Sequence, residues 1–214
     1  MKFKLNIPTS LNEITLAQYQ EFEKLNFDNQ ADVHQRMIEI FCQVPTYIAR
    51  GMKATDVTEV CNSINNMFDT KHQLINTFSL NGQKYGFIPS LEDMTFGEYV
   101  DLDTFIGDNE NLHRAMNVLY RPIQLKQGKR YTIQEYDPTT YDIAKEFPLS
   151  AVFGAVVFFY NLGTELSKVI LSYSNKTNEE NLAQYLISQP SGVGTTASME
   201  SLKEILQSLN ISLS

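Results

Sequence analysis

A chain of 214 residues, 43% hydrophobic and 20% charged, is long enough for one large domain or two small ones and too apolar to stay disordered. Its 17 Lys and Arg stand against 25 Asp and Glu, a net charge of −8, so its long-range field repels DNA, RNA and anionic lipid.

Residues 2–7 alternate, with Phe3, Leu5 and Ile7 on one face, and Pro8 follows. That predicts a short strand. Thr15 and Gln18 stand three apart before an apolar run, the pattern of a capping box, so a helix is expected to about Leu25. A second helix is expected over 31–44, with Val33, Met37, Ile40, Phe41 and Val44 on one face and Pro45 as its stop. Shorter helices are expected at 46–52 and 56–68. Asn81-Gly82 between alternating runs predicts a hairpin over 78–88.

Thr95 and Glu98 make a second capping box, opening a helix over 96–105; another is expected over 111–120. Residues 124–133 around Gly128 read as a second hairpin, and 141–146 as a short helix. An apolar helix is expected over 149–173. Its most apolar stretch, 149–160, falls short of the roughly 20 residues a membrane span needs, so no membrane partner is expected. Ala151, Gly154 and Ala155 would let a neighbouring helix come close. Beyond it, 179–188 reads as helical and the Gly-containing stretch 189–197 as a flexible linker. Met199, Leu202, Ile205, Leu206 and Leu209 form the stripe of an amphipathic helix capped by Ser198. Ile211 and Leu213 follow as an apolar tip.

The most specific feature is a self-match. Ile7-Pro8 corresponds to Ile88-Pro89, Leu11 to Leu91, Ile14 to Met94, Thr15 to Thr95, Gln18 to Glu98 and Tyr19 to Tyr99, with one residue deleted in the second copy. His34 and Met37 then parallel His113 and Met116, and Pro45 and Pro122 follow the respective helices. The pattern implies two strand–helix–helix units, whose shared residues cap helices and end strands. The expected fold is α+β and mainly α-helical: a first unit with extra helices in 1–75, a second with two small hairpins in 76–148, and a C-terminal helical region in 149–214.

Signs of chemistry are weak. Cys42 and Cys61 sit among apolar residues without ligands at zinc spacing, so each reads as a small buried hydrophobe. His34 and His113 hold equivalent positions, but no metal-binding pattern accompanies them. The simpler reading is two helix-face histidines, each hydrogen-bonded within its own unit. The stretch 191–196 lacks the Gly-Lys-Ser/Thr ending of a phosphate loop. Glu92, Asp93, Glu98, Asp101 and Asp103 lie close together, but Glu92, Asp93 and Glu98 fall around a helix start, where anions are favoured without catalysis. Lys126, Lys129 and Arg130 read as a solvated hairpin face. With no leader pattern at Met1, synthesis in a reducing cytoplasm is the expectation. No catalytic residue, cofactor or metal is expected, and no sequence-specific nucleic-acid partner. What remains is interaction with other chains, through Leu202, Ile205, Leu206, Leu209 and Ile211 and the hairpin tip at Asn81 and Gly82.

The paired Ile-Pro…Thr…Tyr units, the Phe/Gly/Ala/Val helix and the 198–204 stretch Ser-Met-Glu-Ser-Leu-Lys-Glu together resemble small proteins encoded in the virion gene blocks of crAss-like phages and related phages of Bacteroidetes. The resemblance implies a virion structural protein, made in the host cytoplasm. Its implied role is a ring of about twelve copies in the head–tail connection (neck) or tail, touching the portal or other neck and tail proteins. The alternative it implies is a tail assembly chaperone that leaves before maturity. Neither role brings catalytic residues or a cofactor.

Overall fold

A computed structural model describes residues 5–174, with side chains through Glu165. The fold is mixed α+β and mainly helical. In chain order it runs α1 (Leu16–Glu23), α2 (Gln30–Phe41), α3 (Thr46–Arg50), α4 (Ala54–Phe68), β1 (Thr77–Leu80), β2 (Gln83–Phe87), α5 (Phe96–Phe105), α6 (Leu112–Leu119), β3 (Tyr120–Gln127), β4 (Arg130–Ile133) and α7 (Leu149–Ser174). Short 3-10 turns precede α1, at Leu11–Glu13, and α7, at Tyr141–Glu146.

The strands form one antiparallel sheet in the order β1-β2-β3-β4. Asn81 (φ 50°) and Gly82 (φ 79°) both take the left-handed conformation that a two-residue type I′ turn requires. β3 begins at Tyr120, earlier than the expected 124, because α6 passes into it without a loop. That places Phe87 opposite Tyr120 and Tyr85 opposite Pro122, joining both hairpins into one sheet.

The expected strand over 2–7 has no counterpart in its described part. Residues 5–7 pair with no described residue, and the four described strands lie between Thr77 and Ile133. Of the two repeat copies, only the second has its Ile-Pro strand in a sheet. There the Ile88 N–H donates to the Leu119 carbonyl at 2.7 Å.

One continuous core joins the two copies to the first half of α7. Leu149, Ala151, Val152, Phe153, Ala155 and Val156 are fully buried. Phe147 sits among Phe78, Tyr85 and Tyr120, ring centroids 5.1–6.2 Å away, distances at which edge-to-face pairs add to burial. The close approach at Gly154 is real, but its partner is not a helix. A Cβ there would overlap the backbone carbonyl of Gln73, in the connection between α4 and β1. Cys42 and Cys61 are buried as expected, and burial pushes both thiols up to about 11. No described helix is long and apolar enough to cross a membrane. The expected helix at 179–188, the linker 189–197 and the amphipathic helix lie outside the described residues.

Candidate functional site

Both predicted capping boxes form. The Gln18 N–H donates to Thr15 Oγ1 at 3.2 Å, and the Thr15 N–H to Gln18 Oε1 at 2.9 Å. The Glu98 N–H donates to Thr95 Oγ1 at 3.3 Å, and the Thr95 N–H to Glu98 Oε2 at 2.6 Å. Each box thus satisfies helix-start donors that would otherwise lack partners.

The same side chains do a second job. Gln18 Nε2 donates to the Ile40 carbonyl at 2.7 Å, tying α1 to the end of α2. Glu98 pairs with Arg121 at 2.7 Å, tying α5 to the start of β3. Both ions are buried, so each depends on the other. The acidic cluster is therefore not wholly a solvated helix start. Glu98 is a structural counter-ion, and Asp101 accepts from the Tyr136 hydroxyl at 2.6 Å. Burial first, then that hydrogen bond and the Asp101 charge, push the Tyr136 phenol well up.

The copies then diverge. Over the first, residues Phe147, Pro148 and Leu149 lie as a short antiparallel bridge opposite Thr15. The Leu16 N–H donates to the Phe147 carbonyl at 3.0 Å, and the Leu149 N–H to the Ile14 carbonyl at 2.8 Å. Ile14, Leu16 and Phe147 are fully buried in consequence. Tyr19 meets Phe153 of α7 edge to face at 5.3 Å.

No described residue makes the equivalent bridge over the start of α5 in the second copy. Phe96, the counterpart of Leu16, is 77% exposed, and Val100 one turn on is 40% exposed. The Phe96 N–H and the Met94 carbonyl, counterparts of the two bridging groups, have no hydrogen bond among the described residues.

Phe96 and Val100 were not expected as contact residues. Their signal was present: they stand four apart, on a different side of α5 from the buried Glu98 and Leu102. A ten-residue helix with apolar groups on two sides must cover one of them elsewhere.

The other candidates distribute as follows. Asn81 and Gly82 are exposed at the β1–β2 tip. Asn81 borders a shallow depression of about 380 Å³ with Asn12, Thr15 and Pro148. Leu202, Ile205, Leu206, Leu209 and Ile211 lie outside the described residues. Lys126, Lys129 and Arg130 are exposed at the β3–β4 tip, as expected of a solvated face.

The histidines are not brought into a shared metal cluster; no group of three or more His, Cys, Asp or Glu able to hold a metal occurs among the described residues. His34 contacts Gln30 at 2.9 Å in its own helix. His113 hydrogen-bonds the backbone of Glu110 in its own unit, and its ring nitrogen also meets Gln20 of the first copy at 3.4 Å. Burial and the nearby charges of Lys145 and Arg114 lower its pKa. Arg114 lies over the Phe105 and Tyr141 rings at 4.9 and 4.5 Å, a cation–π clamp that holds this side of the unit together.

Comparison with family models, with curated proteins and with solved structures finds no match.

Proposed function

We propose that this chain is a structural protein of a bacteriophage particle, a ring-forming subunit of the head–tail connection or the tail. It acts through contacts with its own copies and with the portal or other neck and tail proteins. The observation that carries this reading is the start of α5, where Phe96 and Val100 stand exposed beside two backbone groups that have no hydrogen bond among the described residues. A surface of this kind suits contact with another chain. A ring subunit meets its neighbours through two different surfaces, and one bare copy beside one covered copy gives the chain such polarity. The net charge of −8 suits a wall past which DNA slides without sticking.

The test is mass spectrometry of purified particles, with copy number counted against the major capsid protein. The ring reading expects a fixed number on the order of twelve. The second reading, a tail assembly chaperone, draws support from another depression of about 570 Å³, lined by Phe87, Ile88, Leu91, Tyr131 and Phe158 with Lys129 and Arg130 at its edge. An apolar segment of a client fits such a surface. Absence from particles with abundance in infected cells would favour it.

A further inference from the structure

The covered copy of the repeat is a template for what the bare copy lacks. Its occupant presents a carbonyl at Phe147 and an N–H at Leu149, with two apolar side chains flanking one residue. The capping residues share one backbone conformation, Thr15 at φ −90°, ψ 158° and Thr95 at φ −69°, ψ 159°. Phe96 N–H and Met94 C=O therefore offer the same donor and acceptor as Leu16 and Ile14. They are presented to an extended segment of apolar–x–apolar order.

We propose that the segment 209–213 of a second copy of this chain docks there, with Ile211 and Leu213 taking the places of Phe147 and Leu149. The proposal rests on the self-association reading above and names its contact. Three observations select this occupant. Leu209-Asn210-Ile211-Ser212-Leu213 has the required alternation. No charged residue occurs in 205–214, so the segment can lie beside Glu92, Asp93 and Asp103 without repulsion. The stretch from Ser174 to Leu209 can span on the order of 100 Å when extended, far beyond the edge of its own fold. One copy's tip on the next copy's α5 is a head-to-tail contact, which repeats around a ring.

The experiment uses full-length chains. A labelled peptide of residues 205–214 is titrated into the Ile211→Asp/Leu213→Asp variant, whose own tip is disabled. The expected result is saturable binding, weakened at least about tenfold by adding Phe96→Asp and unchanged by adding Tyr47→Ser, an exposed site elsewhere. Phe96→Asp preserves the fold, since the position is exposed and an acid suits a helix start. In sedimentation, Phe96→Asp alone and the tip variant alone should each stay monomeric. Their mixture should give a 1:1 pair and nothing larger, because only one working tip meets one working site.

No peptide binding, or equal binding to the Phe96→Asp protein, overturns the proposal. Loss of assembly on Phe96→Asp but not on disabling the tip overturns the occupant, and places another surface of the second copy there. Peptide binding by a chain that is absent from particles leaves the contact standing and removes the virion reading instead.

Discussion

In the first copy of the repeat, the residue after the capping threonine is Leu16, fully buried; in the second it is Phe96, 77% exposed. The strand ends show the reverse. Ile88 is buried and hydrogen-bonded into the sheet, whereas Ile7 is 37% exposed and pairs with nothing described. Two copies of one local pattern thus fold alike at the cap and differ in what covers them. Local hydrogen bonding decides the cap; the rest of the chain decides the cover, and among the described residues it covers the start of α1 but not that of α5.

Substitutions at matched positions test that division, and the largest effect should come at the buried pair. Glu98→Gln gives the second copy the first copy's residue, but it strands Arg121 without a counter-ion. It should cost about 3–5 kcal/mol, read as the shift in the urea midpoint. Unchanged stability would mean that Arg121 finds another partner. Leu16→Ala in the covered copy should cost about 2–5 kcal/mol. Its counterpart Phe96→Ala should change stability by no more than about 0.5 kcal/mol. Comparable losses at the two sites, measured by thermal denaturation of the isolated chain, would erase the contrast between covered and bare. Thr15→Ala and Thr95→Ala should each cost about 1 kcal/mol, because the caps are alike. A difference above about 1 kcal/mol between them would show that cover strengthens the cap.

The smallest effect is expected from acid. His113 joins the copies through Gln20, and His72 lies under α7 with its ring 5.3 Å from Phe153. Burial lowers both below their ordinary value near 6.5. Such groups take up protons more readily when unfolded, so stability should fall as pH drops through about 6.5. His113→Gln and His72→Asn should each flatten that slope between pH 7 and 5.5 in a melting series. A slope unchanged in the double variant would assign the acid sensitivity elsewhere.

Much of the fold was legible because its signals are local. Thr15 with Gln18, Thr95 with Glu98, and Asn81 with Gly82 fix their own geometry within four residues. Where partners are distant, the sequence was silent or misleading. Leu5 and Ile7 alternate, but alternation needs a neighbouring strand, and after α2 ends at Phe41 the first copy turns into α3 where the second copy runs into β3. Pro122 announced the end of α6 but not a strand, since a proline inside a strand argues against one, so the direct join of α6 to β3 was not legible. Smallness at Gly154 announced a close approach, yet nothing local told a loop from a helix. Of the interaction surface, the hairpin tip was read from its turn and lies exposed. Phe96 and Val100 were missed although they stand four apart, on the side of α5 opposite the buried Glu98 and Leu102.

The clasp over the first copy also sets a schedule for synthesis. Ser150 hydrogen-bonds Asn12 across 138 residues of sequence. At ~5–20 residues per second, the ribosome delivers the start of α7 ~6–25 seconds after α1. Throughout that interval Ile14 and Leu16 are as open to neighbouring nascent chains as Phe96 is in the finished fold. Crowded polysomes therefore present two equivalent sticky edges per chain, and completing α7 closes the one at Ile14 and Leu16.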